Sequence, residues 1–261
     1  MPSASASRPR PQGSRSSRVE PARAQPPLSA PYQQLHLPIE LPREPTIAEY
    51  LPGPNMEAVA AVAAIAQGSG EPFVFLFGNS GTGKTHLLQA ACISAREHRR
   101  KAHYLPLATA GLTPSVLEDL ERMELVAIDD MQSVVGSGTW EEALFGLFNR
   151  LRDRGRQLII AANSAPDSLG VGLPDLASRL LWGPRYRLQP LQDDDCARLM
   201  AESAARRGLQ LGPEVIRFIM NRYPRDPRSL MDILARIDSA SLREQRQPTI
   251  PLVRRALDGD A

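Results

Sequence analysis

The chain has 261 residues, 42% hydrophobic and 23% charged, which is typical of a folded globular protein with room for one large domain or a domain and a smaller one. Its longest apolar run, residues 58–66, is too short and too rich in alanine to cross a bilayer, which argues against a membrane protein. Residues 1–30 contain five arginines and one acid, which gives this segment a net charge of +4. Because the whole chain has a net charge of +2, the remaining residues carry −2. Strong direct DNA binding by the folded part is therefore not expected.

The amino-terminal region is dominated by proline, with 12 of the 24 prolines before residue 55. Residues 1–30 lack hydrophobic periodicity and are predicted to be disordered. Their arginine and serine content superficially suits a transit peptide, but the prolines argue against the amphipathic helix that such a signal needs. Residues 33–42, QQLHLPIELP, carry apolar side chains between prolines that forbid a helix, so we expect an extended apolar peptide outside the core.

Regular secondary structure is predicted from Asn55 onward, where an asparagine suited to capping precedes a helix that ends before Gly68. Short apolar runs typical of buried strands then alternate with helices, which indicates an α/β domain with a parallel sheet. After residue 191 only helices are predicted, which indicates a small all-helical domain. Strands are predicted at residues 72–77, 102–107, 124–129, 157–162 and 186–191. Helices are predicted at residues 56–67, 83–97, 140–154, 193–208, 213–223, 228–244 and 250–257.

Two residue types are rare enough to be informative. Cys92 and Cys196 are far apart and lack the spacing of metal ligands, so a reducing cytoplasm is the expected location. Lys84 and Lys101 are the only lysines among 31 basic residues, and a lysine in so arginine-rich a chain indicates a position that favours a compact ammonium group.

Residues 78–85, GNSGTGKT, match the phosphate-loop pattern G-x-x-x-x-G-K-[ST] at every fixed position. They follow a predicted strand and open a predicted helix, which is the context that the motif requires. Gly78, Gly81 and Gly83 let the backbone N–H groups turn toward a phosphate chain, and the helix N-terminus adds partial positive charge. Lys84 is predicted to reach the β and γ phosphate oxygens and Thr85 to hold Mg²⁺, so the motif indicates a nucleotide site rather than a chance glycine-rich turn.

A pair of acids ends the third predicted strand, in the stretch LVAIDDMQ at residues 125–132. Asp129 is predicted to hold the metal beside Thr85, and Asp130 to polarise an attacking water. The alternative is that the two acids only cap the following turn, which the phosphate loop upstream makes the weaker interpretation.

Three further polar residues are candidates on weaker grounds. Asn163 ends the next strand, where its amide would orient water or contact the γ-phosphate, although an Asx-type turn explains the stretch NSAPDS equally well. Arg179 ends a short amphipathic turn in LPDLASRLLWG, and Arg228 opens the third helix of the helical domain. By spacing alone, either arginine fits a surface ion pair.

The order of these features along the chain resembles that of the AAA+ ATPases. YLPGPN at residues 50–55, LVAIDDMQ, LPDLASRLLWG and DPRSLMDIL at residues 226–234 resemble the DnaA-related branch, and within it the Hda group of DnaA regulators. The resemblance covers nearly all of residues 33–257. It implies an AAA+ P-loop core with a five-stranded parallel sheet, followed by a small all-helical lid. The implied divisions are a disordered tail at 1–30, a clamp-binding peptide and linker at 31–49, the core at 50–191 and the lid at 192–261.

The resemblance also implies roles for individual residues. Asn163 matches the sensor 1 position, Arg228 matches sensor 2, and Arg179 matches the arginine finger that enters a neighbour's ATP site. Arg179, Asp130 and Asn163 are therefore the catalytic candidates, and Thr85 and Asp129 are the metal candidates. The implied nucleotide-binding residues, with Tyr50, Pro52 and Asn55 as the wall beside the adenine and ribose, are Tyr50, Pro52, Asn55, Gly78, Asn79, Ser80, Gly81, Thr82, Gly83, Lys84, Thr85, His86 and Arg228.

The apolar peptide near the amino terminus also matches this group. QLHLPI at residues 34–39 resembles the short segment with which Hda proteins bind the replication sliding clamp. The implied partner-binding residues are Gln34, Leu35, Leu37, Pro38 and Ile39, whereas His36 departs from the small or acidic residue usual at that place. From the residues alone, the alternative is a linker that leans on the domain.

The resemblance implies a regulator of replication initiation that binds ADP or ATP with Mg²⁺ and the sliding clamp of DNA polymerase III. Such a protein stimulates ATP hydrolysis by DnaA through its arginine finger and is not an efficient ATPase itself. The alternative of a self-acting ATPase, such as a DnaC-like helicase loader or a truncated DnaA-type initiator, stays open because Asp130 would support self-hydrolysis. An adaptor with a structural nucleotide is a third interpretation. The expected lack of a helix-turn-helix after the lid argues against an initiator. The sequence leaves self-association and the resident nucleotide open.

Overall fold

A five-stranded parallel sheet forms the centre of residues 44–259, which is the part of the chain that the computed structural model describes. Its strands are β1 (Phe73–Phe77), β2 (Ala102–Pro106), β3 (Leu125–Asp129), β4 (Gln157–Ala162) and β5 (Arg185–Arg187). They lie in the order β2-β3-β4-β1-β5, and every neighbouring pair is parallel. The predicted sheet is confirmed. The predicted tail at residues 1–30 and the peptide at residues 33–42 lie outside the described residues.

The three central strands are apolar apart from Asp129 at the end of β3 and Gln157 at the start of β4, because both faces of the sheet are covered. Alternate side chains of β1 point to opposite layers, with Phe73 and Phe75 in one core and Val74 and Leu76 in the other. Helices α1 (Met56–Ala66) and α2 (Lys84–Glu97) pack on the second core, and α3 (Gly138–Asp153) and α4 (Pro174–Leu180) pack on the first. This arrangement brings the carboxyl ends of β1, β3 and β4 to one edge of the sheet, where ligands bind in folds of this kind.

Four helices follow the sheet and share a separate apolar core. They are α5 (Asp193–Arg206), α6 (Pro213–Arg222), α7 (Pro227–Glu244) and α8 (Ile250–Asp258). Met200, Ile219, Leu230 and Val253 are fully or almost fully buried between them. The predicted helical lid is confirmed, and the division at residue 191 stays a prediction. Among the residues that the structure describes, no helix is both long enough and apolar enough to cross a bilayer.

Among the element ends that differ from the prediction, two involve Asn55. The Asn55 side chain makes no capping hydrogen bond to α1, because its amide pairs with the backbone of Gln189. Strand β5 ends at Arg187 rather than at residue 191, since the ladder stops after Leu188 N donates to Phe77 O and Gln189 turns to Asn55. A buried amide with a partner on each side is better satisfied there than at an exposed helix end.

Candidate functional site

The phosphate loop connects β1 to α2 and depends on glycine at two places. Gly83 precedes α2 with a φ of 88°, and a Cβ there would lie 2.5 Å from Cε2 of Tyr50. A Cβ on Gly78 would lie 2.5 Å from the carbonyl oxygen of Leu188. A side chain at either position would therefore push the loop away from Tyr50 or from Leu188. The turn comprises Gly78, Asn79, Ser80, Gly81, Thr82 and Gly83.

Lys84 extends back across this loop. Its Nζ donates to the carbonyl oxygens of Gly78 at 2.7 Å and Asn79 at 2.8 Å. Burial lowers the pKa of Lys84, and the nearby carboxylates of Asp129 and Asp130 oppose that shift. An ammonium group has three donors, so one N–H is still available for a phosphate oxygen. The position therefore fits the predicted role of Lys84.

Asp129 and Thr85 meet at the carboxyl end of β3. Asp129 is 1% exposed, and its Oδ2 accepts from Thr85 Oγ1 at 2.6 Å and from Tyr104 Oη at 3.0 Å. Its Oδ1 accepts from the backbone N–H of Asp130 at 2.9 Å. Burial and the charge of Asp129 raise the pKa of Tyr104, which keeps its hydroxyl a donor. A hydroxyl and one carboxylate are the oxygen ligands that Mg²⁺ uses beside nucleotide phosphates, so the donor set fits that metal.

Asp130 and Asn163, which were both predicted to act on water or phosphate, are connected through Gln132. The Gln132 side chain donates from Nε2 to Asp130 Oδ1 at 2.8 Å and accepts at Oε1 from the backbone N–H of Asn163 at 3.1 Å. Asp130 has a left-handed backbone with φ of 55° and caps no turn with its side chain. The Asn163 side chain is contacted only by Ser164 Oγ, at 3.2 Å, among the hydrogen bonds of residues 44–259. The structure thus brings the two candidates to one edge of the sheet.

Tyr50 and Asn55 form the wall against the phosphate loop. Tyr50 Oη donates to Thr82 O at 3.0 Å and accepts from Asn55 Nδ2 at 3.2 Å, and burial raises the pKa of Tyr50 to about 12. Asn55 is 4% exposed, and its amide also exchanges two hydrogen bonds with the backbone of Gln189, at 2.8 and 2.9 Å. The amide is therefore occupied by protein partners, and its predicted contact with the nucleotide stays a prediction.

The other wall residues lie close by. Pro52 is half-buried at the start of a short 3-10 turn that leads to α1. His86 Nε2 donates to Thr46 O at 2.9 Å, which ties residues 46–49 to α2 although the sequence assigned them to a linker. The ring of His86 lies 5.8 Å from that of Tyr50. His86 thus supports the wall from the outside.

The lid approaches the phosphate loop through the start of α7. A Cβ built on Gly81 would lie 3.6 Å from Cβ of Asp226, whose carboxylate caps α7 by accepting from Ser229 N at 3.0 Å. Arg228 is exposed in the first turn of the same helix. No carboxylate within residues 44–259 forms an ion pair with Arg228, so the surface ion pair that spacing alone suggested for it does not form there.

Arg179 lies in the last turn of α4, in a part of the fold with no described hydrogen bond to the phosphate loop. Its guanidinium carbon is 4.8 Å from the ring centroid of Trp182 and 6.0 Å from that of Phe145. The side chain is half-exposed, and no carboxylate of the described residues pairs with it. The guanidinium is therefore held over aromatic rings at the surface and is not enclosed in the interior of its own subunit.

Glu141, which the sequence did not single out, fixes the loop before α4. The residue is 2% exposed, and its carboxylate accepts hydrogen bonds from three backbone N–H groups, those of Gly136 at 2.9 Å, Gly172 at 3.1 Å and Leu173 at 2.7 Å. Burial raises the pKa of Glu141, but the three N–H groups together bring it below the ordinary value. The first turn of α3 is thus joined directly to the segment that carries Arg179.

Tyr104, Gln132, Gln189 and Trp182 were missed as well. In that order, they contact the predicted site residues Asp129, Asp130, Asn55 and Arg179. The only sequence signal is that Gln132 and Trp182 lie within three residues of a motif position. Tyr104 and Gln189 become relevant only when the strands are paired.

Comparison with known proteins places the chain in a family. Residues 41–186 match the family described as the bacterial DnaA ATPase domain, and residues 193–257 match the lid domain of Hda. The first match covers more than half of the chain. The two matched ranges correspond to the sheet domain and to the four-helix lid.

Solved structures show the same fold. Domain III of the replication initiation protein DnaA from Thermotoga maritima is similar with a TM-score of 0.71 and 21% identity, covering 84% of this chain and 97% of that one. AMPPCP-bound DnaA from Aquifex aeolicus has a TM-score of 0.63 and 23% identity, covering 79% and 71%. The RuvB Holliday junction branch migration motor of Thermotoga maritima has a TM-score of 0.59 and 16% identity, covering 78% and 67%. The chain therefore belongs to the DnaA-related AAA+ family, with a DnaA-type ATPase domain followed by an Hda-type lid.

Proposed function

We propose that this chain binds an adenine nucleotide with Mg²⁺ at the phosphate loop. Support comes from the Lys84 ammonium across the loop carbonyls and from the contact between Thr85 and Asp129. Thr85 and Asp129 would hold the metal, which when bound neutralises charge on the phosphate oxygens. The similar DnaA structure that carries AMPPCP agrees with an adenine nucleotide. Following the resemblance to the Hda group, we expect ADP to be favoured over ATP.

The nucleotide proposal is tested by replacing one of the two lysines. Lys84→Met should abolish the rise in melting temperature that Mg-ADP causes in the unsubstituted protein, because the ligand's phosphates lose their ammonium partner. Lys101→Met removes the exposed lysine just before β2 and should leave that rise unchanged. An equal response of both variants to Mg-ADP would contradict the assignment.

We further propose that the chain regulates replication initiation by inserting Arg179 into the ATP site of a DnaA partner and stimulating hydrolysis there. The observation that carries this proposal is the half-exposed Arg179 guanidinium, which has no carboxylate partner among residues 44–259. An arginine supplied in trans accelerates such reactions roughly 10³- to 10⁵-fold. That range corresponds to about 4–7 kcal/mol of transition-state stabilisation, so one side chain is sufficient for a switch.

The test is hydrolysis of ATP by DnaA, with and without clamp loaded on DNA. Arg179→Ala should abolish the stimulated hydrolysis while leaving Mg-ADP binding and clamp capture intact. Arg217→Ala is the matched control, because Arg217 is exposed on α6 in the lid and belongs to no predicted site. Stimulation that survives in Arg179→Ala would remove this residue from the role.

Clamp binding is the second half of the regulatory proposal. Its support is the resemblance of QLHLPI at residues 34–39, since these residues lie outside the part that the structure describes. Burial of two or three such side chains contributes about 1.5–3 kcal/mol each before ordering costs, which gives weak binding that several copies on one ring would strengthen. The double variant Gln34→Ala, Leu37→Ala should lose clamp capture. Unchanged capture would leave the peptide as a linker.

A self-acting ATPase is the second candidate, and one observation favours it. Gln132 holds the Asp130 carboxylate next to the strand end that carries Asn163, which is where a group that polarises water would lie. Turnover of ATP by the chain alone, lost in Asp130→Asn, would support this candidate. If Asp130→Asn leaves DnaA stimulation intact and the chain alone has no turnover, the regulatory proposal stands.

A further inference from the structure

Trp182 presents an exposed aromatic face beside the candidate arginine finger. Trp182 is 61% exposed and is one of four large apolar residues that are exposed in the described part of the chain. The guanidinium carbons of Arg179 and Arg152 lie 4.8 and 5.5 Å from its ring centroid. Both distances are within the range of a cation–π interaction.

Packing and backbone contacts fix the position of the indole. Its ring packs edge-on against Phe148 of α3, with centroids 6.4 Å apart and an interplanar angle of 69°. The backbone N–H of Trp182 donates to Arg179 O at 3.1 Å, which closes the last turn of α4 over the two residues. The next residue, Gly183, runs so close to Phe73 O that a Cβ would collide with it. The position of the ring therefore follows from the first core and not from a mobile loop.

A ring and a carboxylate hold a guanidinium in different ways. A carboxylate occupies the N–H edge, whereas an aromatic ring contacts the flat face and leaves the five N–H donors free. Arg152 has a carboxylate partner in addition to the Trp182 ring, since its Nε and Nη2 donate to Asp153 Oδ1 at 3.1 and 2.9 Å. Within residues 44–259, the Arg179 guanidinium contacts aromatic rings and no carboxylate. Its donors are therefore oriented and still available for phosphate oxygens.

We propose that Trp182 is a positioning residue for Arg179: the indole face fixes the guanidinium at the surface with its N–H edge free. This inference rests on the proposed function of Arg179. The contribution is made through Arg179 and not by contact with the phosphates. Because the orientation matters when charge develops on the transferred phosphoryl group, Trp182 should affect the rate more than the binding of the partner.

The experiment is the DnaA hydrolysis assay, titrated with the protein to separate the maximal stimulated rate from the half-saturating concentration. Trp182→Leu removes the ring face but keeps an apolar side chain against Phe148, so the variant should stay folded. We expect its maximal stimulated rate to fall about 3- to 30-fold, with a half-saturating concentration within about 2-fold of the unsubstituted value. Trp182→Phe restores a ring face and should recover most of the rate.

Leu181→Ala is the matched control, because Leu181 is the adjacent exposed apolar residue at 45% exposure and makes no ring contact with Arg179. It should leave the maximal rate unchanged. Suppose that Arg179→Ala abolishes stimulation. The positioning role is then overturned if the maximal rate of Trp182→Leu is unchanged or higher, or if Leu181→Ala loses as much rate as Trp182→Leu. If the unsubstituted protein gives no stimulation, or Arg179→Ala retains it, the proposed function falls and the positioning role falls with it.

Discussion

Replacing Glu141 by glutamine should destabilise the protein and loosen the support of α4. The two carboxylate oxygens serve different donors: Oε1 accepts from Gly136 and Gly172, and Oε2 accepts from Leu173. A glutamine side chain offers one carbonyl oxygen and one NH₂ group, so it can satisfy only one of these sets. In either orientation its NH₂ group faces a backbone N–H donor in a site that is 2% exposed.

The magnitude follows from the three hydrogen bonds. A bond from a backbone N–H to a charged group contributes about 1.5–3 kcal/mol, and a buried donor left without a partner costs about 1–3 kcal/mol. Removing the negative charge also removes its burial cost, which offsets part of the loss. We therefore expect the free energy of unfolding of Glu141→Gln to fall by about 2–4 kcal/mol. In a protein of this size that is a decrease of about 5–15 °C in melting temperature.

Thermal and urea denaturation at neutral pH would measure the change. Glu142→Gln is the control, since the neighbouring Glu142 is exposed and its replacement should change the free energy by less than about 0.5 kcal/mol. Equal melting temperatures for the two variants would show that the three N–H groups find other partners, and the argument about α4 would fail.

The pH dependence gives an independent check. The folded-state pKa of Glu141 lies below its ordinary value, so the unfolded chain binds more protons in the acid range. The stability from this carboxylate is therefore fully present above the unfolded pKa of about 4.3 and is lost as pH falls through the folded pKa. The difference in free energy of unfolding between the unsubstituted protein and Glu141→Gln should shrink as pH falls below about 4.3. A difference that stays constant across this range would contradict a carboxylate origin.

Two further changes test the predicted metal ligands and the wall beside the phosphate loop. Tyr104→Phe removes the donor to Asp129 Oδ2. The Kd for Mg-ADP, measured by calorimetry, should rise about 3- to 10-fold, because a single hydrogen bond to a charged group is lost. The Kd measured in excess EDTA should stay the same. Asn55→Ala removes both hydrogen bonds to the backbone of Gln189 and should lower the free energy of unfolding by about 1–3 kcal/mol in urea denaturation. A change below about 0.5 kcal/mol would show that water replaces the amide.

The sheet was predictable because its central strands are buried on both faces. Such strands are nearly continuous apolar runs, and the stretch QLIIAA coincides with β4 at both ends. The phosphate loop was predictable because phosphate-binding motifs of this kind have a fixed spacing within eight residues. The edge strand β5 was placed poorly, since it has only three residues and its end depends on the contact of Gln189 with Asn55, 134 positions earlier in the chain.

The contacts around the site could not be predicted, because they depend on which strands lie side by side. Tyr104 contacts Asp129 only because β2 and β3 pair with Pro106 opposite Asp129. Glu141 seemed an ordinary acid in the first turn of a helix, and its burial depends on a loop 31 residues away. Capping chemistry suggested an end-of-helix role for Asn55, but tertiary pairing overrode that local preference.

The pairing of Asn55 with Gln189 has a consequence for synthesis of the protein. These hydrogen bonds join residues separated by 134 positions, so the wall beside the phosphate loop cannot close until the ribosome has released nearly the whole sheet domain. Closing so long a segment adds little entropy cost beyond that of a shorter one, but it delays the contact. A nascent chain would therefore expose the loop without its wall until Gln189 has left the ribosome.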